Sequence, residues 1–199
     1  MRHSPINSEA LKKVAVLLRD HSLPQIANTL HYACHAVCGF PLANLPYRPV
    51  WLVITPRCNL RCGHCSYGSP DSPREALDCP EMSLRTFARV LDRFPRAIAV
   101  GLGAAEPFLH PRVFDMARLA HRRRKKVHLP TNGTLLGERL DEVLDSPVDF
   151  LNVSLYGTDG EGFAELTGGR PDAPTGTAAH VGSLAAAAAA LSALRGVDD

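Results

Sequence analysis

Three cysteines within eight positions, Cys58-x3-Cys62-x2-Cys65, are the residues whose type and spacing most directly permit chemistry. They lie in Thr55-Pro-Arg-Cys58-Asn-Leu-Arg-Cys62-Gly-His-Cys65, right after the apolar run Trp51-Leu-Val-Ile54. Thiolates are the ligands of iron–sulfur clusters, and three on one short loop can hold three irons of a [4Fe–4S] cube, leaving one iron open to a chelating ligand. Zinc is the alternative. A closed structural zinc site needs four ligands, usually from two separated pairs. His64 adjoins Cys65 too closely to share a tetrahedron with all three thiols, which leaves Cys79 as a conceivable fourth ligand. Plain core packing of the thiols is a third reading. Elsewhere His31, His35 and Cys38 recur at spacings of four and three beside the apolar stripe Ile26, Leu30, Cys34 and Val37. The stripe reads as packing, with the histidines partly exposed.

A ligand loop needs elements to hold it, and the sequence supplies a regular alternation. Val50 to Thr55 reads as an apolar strand. A helix capped by Ser83 follows, running through Phe87, Val90, Leu91 and Phe94. Ala97–Leu102, Lys126–Leu129 and Phe150–Leu155 read as further strands. Val113–His121, Leu135–Leu144 and Leu184–Leu194 read as helices. Strand–helix alternation with short links implies βαβ units and a parallel sheet covered by helices. The expected fold class is therefore α/β, an open parallel β/α barrel of about four units, because a closed eight-fold barrel takes at least about 200 residues. Residues 1–48 form a separate helical segment in this reading, with one helix after Ser8 and a second starting near Pro24. Residues 49–199 form the barrel core. Pro171–Gly182 reads as a loop and the last five residues as a frayed end.

Parallel α/β folds gather ligands at the carboxyl ends of their strands. Four polar or glycine-containing stretches fall there: the cysteine loop, Gly101–Pro107, Pro130-Thr-Asn132-Gly133, and Asn152-Val-Ser154-Leu-Tyr156-Gly157. Composition adds few constraints. Of the 199 residues 45% are hydrophobic, enough for a core, and the net charge is +2, which selects no partner. The one charge block, Arg122–Lys126, reads as cations complementing a helix C-terminus, so nucleic acid is not the expected partner. No run reaches the roughly 18 apolar residues of a membrane span. The longest early apolar run, Val14–Leu18, is too short for a secretory signal. A cytoplasmic location with metal-ligating thiols is expected over a disulfide framework.

The cysteine motif resembles the signature of the radical S-adenosylmethionine (radical SAM) superfamily. Ala104-Ala105-Glu106-Pro107 stands where that family carries Gly-Gly-Glu-Pro. Thr131-Asn132-Gly133 is similar to its turn after strand three, and Val153–Gly157 to its Ser-Leu-Asp-Gly strand end. The resemblance implies that Cys58, Cys62 and Cys65 hold a [4Fe–4S] cluster whose open iron is chelated by S-adenosylmethionine. Reductive cleavage then gives a 5′-deoxyadenosyl radical that takes hydrogen from a substrate. It implies that Glu106 and the Ala104–Ala105 backbone hold the cofactor's ammonium, that Asn132 and Ser154 bond its ribose or carboxylate, and that His64 stacks on the adenine side. For Tyr67 and Tyr156 two readings stand side by side, lining the substrate mouth or packing in the core or at the surface. A reductant such as a flavodoxin or ferredoxin is implied as partner, and the substrate is left unspecified. The sequence departs from the pattern at His64, where an aromatic is usual, at the two alanines, and at Tyr156, which replaces an acid. The family core is commonly six units. On this reading the C-terminal units are missing, and the alternative is a cluster- and cofactor-binding chain without independent catalysis, or a subunit whose partner completes the barrel.

Overall fold

A computed structural model of the chain describes residues 19, 21–38, 49–65, 79–156 and 160–168. The helix expected after Ser8, Tyr67, the loop at Pro171–Gly182 and the alanine-rich helix at Leu184–Leu194 lie outside the described residues.

Four parallel strands form one open sheet in chain order: β1 (Pro49–Val53), β2 (Ala99–Gly103), β3 (Lys126–Thr131) and β4 (Phe150–Val153). Val53 pairs with Gly103, and Thr131 with Val153, so the carboxyl ends of neighbouring strands finish side by side. That common edge is where the functional stretches emerge. One sheet face carries Leu52, Val100, Leu102, Val127 and Leu129, packed into a single core with the helices. The other carries the row Trp51, Gly101, His128 and Phe150, in register across all four strands. The His128 ring stands 6.0 Å from Trp51 and 4.3 Å from Phe150.

Helix α1 (Leu23–Cys38) belongs to the N-terminal segment. Gln25 explains its start and its docking together. Its Oε1 accepts from the Ser22 backbone N–H at 2.7 Å, half of a capping box. Its Nε2 donates to the carbonyls of Ala97 and Arg124 at 3.1 and 2.7 Å. The helix thereby covers the amino-terminal end of the sheet, away from the cysteines. His31 and Cys34 are exposed on it, while the side chains of His35 and Cys38 are outside the described set.

Helix α2 (Leu84–Arg93) begins where Ser83 Oγ accepts from the Thr86 N–H at 3.1 Å, and it buries Phe87 and Leu91. Helix α3 (Val113–Arg122) buries Val113, Phe114, Met116, Ala117 and Ala120. The basic run after it is structural. Arg123 pairs with Asp92 and Lys126 with Asp149. Lys125 is buried and donates to the carbonyls of Phe94 and Ala97 at 2.8 and 2.9 Å. Burial, helped by Arg123, pulls its pKa down to about 8.

Two differences from the sequence reading matter for function. The helix expected over Leu135–Leu144 is helical only as α4 (Leu140–Leu144), with turns over 134–139. Asn132 Oδ1 accepts from both the N–H and the hydroxyl of Thr134, at 3.0 and 2.7 Å. Such local side-chain bonds compete with helix formation. A further helix, α5 (Gly160–Thr167), follows β4 where none was expected.

Candidate functional site

The loop leaving β1 is fixed before its cysteines are reached. Thr55 Oγ1 accepts from the Arg57 N–H at 3.1 Å, and the Arg57 guanidinium pairs with Glu81 and reaches the Leu109 carbonyl. The Arg57 carbonyl accepts from the Glu106 N–H at 3.0 Å, tying the loop after β1 to the loop after β2. Leu60 and Cys62 are buried together with Phe163 of α5, in a cluster of their own that Cys58, Cys65 and Tyr156 flank. The Arg61 N–H donates to the Thr167 carbonyl at 3.0 Å. Gly168 ends α5 at φ +61, and a Cβ there would sit 2.7 Å from the Arg61 carbonyl oxygen. Only glycine meets both demands, the left-handed turn and the close approach. The missed helix is thus the clamp on the cysteine loop. Its one legible sign in the sequence is the pair Phe163 and Leu166, three apart between glycines and polar residues.

The three cysteines line one cleft of about 250 Å³ at the carboxyl edge of the sheet. Ala104, Ala105, Asn132, Ser154 and Tyr156 line it with them. All four strand ends therefore open onto the same space. Cys62 is buried, and Cys58 and Cys65 are partly so. Cys79 is exposed and is not part of the lining. Among the described residues, no three His, Cys, Asp or Glu side chains converge closely enough to share one metal ion. Three thiols that face one cleft suit a polynuclear cluster, which offers each of them its own iron. The donor set fits that group.

Other expected site residues take places of different kinds. His64 is exposed at the rim, with its ring 5.4 Å from that of Tyr156. Burial pushes the Tyr156 phenol above its ordinary pKa against a hydrogen bond with Ser154, and the three cysteines add to the rise. The Ser154 N–H donates to the Thr131 carbonyl at 2.9 Å, so β4 delivers the residue in register with β3.

Glu106 is held by donors from two strand ends. The resemblance gives it the cofactor's ammonium, and in this structure its side chain is fully buried. Oε1 accepts from the Phe108 N–H at 3.1 Å and the Thr131 hydroxyl at 2.9 Å, and Oε2 from the Asn132 N–H at 2.8 Å. Burial raises its pKa from 4.5, while the bonds from Asn132, Thr131 and Phe108 work in the other direction. A carboxylate at this position has two ways to satisfy its oxygens, a ligand cation or nearby N–H and O–H donors. Here three donors, from Phe108, Thr131 and Asn132, bond to it.

Asn132 is also more engaged than expected. Besides accepting twice from Thr134, its Nδ2 donates to Asn59 Oδ1 at 2.8 Å and approaches Cys58 Sγ at 3.9 Å. Gly133, at φ +78, lets the chain turn back so that Thr134 can reach it.

Ala104 stands where the resemblance places a glycine, and it keeps the backbone of one at φ +95. A Cβ in that region costs about 1–2 kcal/mol. Ala104→Gly should therefore stabilise the apo chain by roughly 0.5–1 kcal/mol after the unfolded-state entropy of glycine is counted. Urea unfolding reads this directly, and an unchanged or lower midpoint would refute it.

A sequence profile described as the radical SAM superfamily matches residues 52–175. The chain belongs to the radical SAM superfamily. Members of the family use a [4Fe–4S] cluster and S-adenosylmethionine, and the match covers the cysteine loop and all four strand ends. The GTP 3′,8-cyclase of Chlorobaculum tepidum is 32% identical over 120 residues, covering 59% of this chain and 36% of that protein. The tungsten-containing aldehyde ferredoxin oxidoreductase cofactor-modifying protein of Pyrococcus furiosus is 35% identical over 111 residues, covering 53% of this chain and 30% of that protein. The chain spans about a third of the length of these curated radical SAM relatives. SuiB of Streptococcus suis bound to S-adenosylmethionine superposes with a TM-score of 0.53 at 19% identity, over 82% of this chain and 39% of SuiB. That likeness concerns the fold: an open sheet of parallel strands with helices, as in radical SAM proteins. No helix among the described residues is long and apolar enough to cross a membrane.

Proposed function

We propose that this chain carries the cluster- and cofactor-binding part of a radical SAM enzyme, with Cys58, Cys62 and Cys65 as iron ligands. The supporting observation is that the three thiols share one cleft with the ends of β2, β3 and β4. When bound, the cluster and S-adenosylmethionine supply one-electron reductive cleavage of a carbon–sulfur bond and a radical that takes hydrogen from the substrate. The chain's own part is placement. The backbone carbonyls of Ala104 and Ala105 accept from the cofactor's ammonium. Ser154 offers its hydroxyl to the ribose or carboxylate, and Tyr156 with His64 forms the wall on the open side. Glu106 acts indirectly by holding the Ala104–Ala105 turn against β3. Burial of Cys62 beneath Phe163 keeps one side of the ligand loop away from water, and low solvent exposure is one of the factors that set cluster potential. The electron comes from a small reductant such as a flavodoxin or ferredoxin.

Anaerobic reconstitution with iron and sulfide tests the proposal. The expected result is a cluster detected by absorbance and electron paramagnetic resonance, and 5′-deoxyadenosine after addition of dithionite and S-adenosylmethionine. Retained zinc with no iron uptake, unaffected by Cys58→Ala, would refute it.

A further inference from the structure

The hydrogen bonds around Asn132 form a closed ring. Asn132 Nδ2 donates to Asn59 Oδ1 at 2.8 Å. Asn59 Nδ2 donates to Thr134 Oγ1 at 2.8 Å. Thr134 Oγ1 donates back to Asn132 Oδ1 at 2.7 Å. The direction of the ring is fixed by one bond outside it. The Thr134 backbone N–H, which can only donate, points at Asn132 Oδ1 from 3.0 Å. The oxygen of the amide must therefore face Thr134, and its NH2 group must face the cysteine loop. One N–H goes to Asn59. The other is directed at Cys58 Sγ, 3.9 Å away. The same sulfur receives the Leu60 N–H at 3.5 Å. All four hydrogen-bonding positions of the Asn132 side chain are then filled from within the protein, two as acceptor and two as donor. Nothing is left over for a ribose hydroxyl.

We infer that Asn132 is a positioning residue for cluster redox tuning: the Asn59–Thr134–Asn132 ring aims an amide N–H at the Cys58 sulfur and makes the cluster bound there easier to reduce. The inference rests on the proposed cluster site. Adding an electron increases the negative charge carried by the cluster and its sulfur ligands. An N–H donor stabilises that charge more in the reduced state than in the oxidised one, and hydrogen bonds to sulfur are among the levers that set the potential. The ring adds to the effect because each member polarises the next. Cys58 thus receives a side-chain amide from the end of β3 and a backbone N–H from its own loop.

The test is a redox titration of the 199-residue chain, reconstituted anaerobically and without S-adenosylmethionine, followed by electron paramagnetic resonance. Asn132→Ala should still bind iron and sulfide, with one-electron reduction about tenfold less favourable, a midpoint lower by about 59 mV. Asn132→Asp keeps an oxygen for Thr134 and turns another oxygen toward the sulfur, so its midpoint should fall further. Thr134→Val removes the hydroxyl from the ring but leaves the backbone N–H that orients Asn132, so its shift should be the smallest of the three. An Asn132→Ala protein with the wild-type midpoint would overturn the inference. So would failure of both Asn132 variants to take up a cluster, since the residue would then be structural. Loss of cofactor affinity at an unchanged midpoint would also overturn it and return Asn132 to the ribose. Wild-type protein that takes up no iron would refute the site itself, an outcome separate from all of these.

Discussion

Glu106→Ala is expected to destabilise the apo chain by about 3–5 kcal/mol, read as a lower urea midpoint. The substitution leaves the Phe108 N–H, the Thr131 hydroxyl and the Asn132 N–H without their acceptor in a fully buried place. Each orphaned donor costs about 1–3 kcal/mol. The sum is reduced because a buried charge is removed with the side chain. A loss of this size is a large part of the 5–15 kcal/mol that typically stabilises a whole domain. Glu106→Gln is a milder test, since its oxygen can still serve Phe108 and Thr131 while its NH2 group opposes the Asn132 N–H. The pH dependence has a definite sign. The carboxyl is raised above 4.5 in the folded state, so the folded chain holds this proton to higher pH than the unfolded chain does. Its contribution to stability is therefore greatest below pH 4.5 and declines as pH rises through the raised value. The stability of wild type relative to Glu106→Gln should fall across that window, and a difference independent of pH would show that the site does not shift this carboxyl.

Phe163→Ala should cost about 3–5 kcal/mol of local stability, the usual range for a buried phenylalanine. The damage should be confined to one end of the molecule. Phe163 packs on Leu60 and Cys62, in a cluster separate from the core between sheet and helices. Losing it frees the cysteine loop while Phe87, Leu102, Met116 and Leu129 remain buried as before. The expected outcome is hydrogen exchange accelerated in residues 58–65 and 160–168, unchanged protection in β2 and β3, and reduced iron uptake on reconstitution. Uniform loss of protection through the sheet would show that the two clusters unfold as one and would refute the separation. Phe163→Leu, which retains most of the apolar volume, should restore most of the uptake.

The strands were legible as apolar runs bounded by Pro, Gly and charged residues, clearest at β2, where every residue is buried, whereas Trp51 of β1 and Phe150 of β4 are exposed. Their ends shifted by a residue or two, which the runs alone do not specify. Helix α2 was legible from Ser83 because a cap states its own position. The stretch after Asn132 was not, since the spacing of Leu135, Leu136 and Leu140 suits a helix and says nothing of Asn132 and Thr134 bonding each other first. Helix α5 escaped because two glycines in eight residues weaken helix propensity and its apolar anchor is essentially one phenylalanine. For the site, the motif identified the residues that gather at the strand ends but not the direction of every side chain. Glu106 stands at the expected position in the chain, but the motif does not specify that Phe108, Thr131 and Asn132 all donate to its carboxyl.

The strand order gives the molecule a direction in time as well as in space. Each strand pairs with the one made just before it, so the sheet can be assembled from local contacts as the chain leaves the ribosome. The cysteine loop follows a different schedule. Synthesised directly after β1, it waits for Asn132 and Thr134, and then for Phe163 and Thr167, before its anchors exist. Its thiols are thus among the first functional groups to emerge and among the last to be enclosed. On the proposed reading, iron delivery to this site follows the synthesis of α5, and the interval before it is when the cysteines are most open to oxidation.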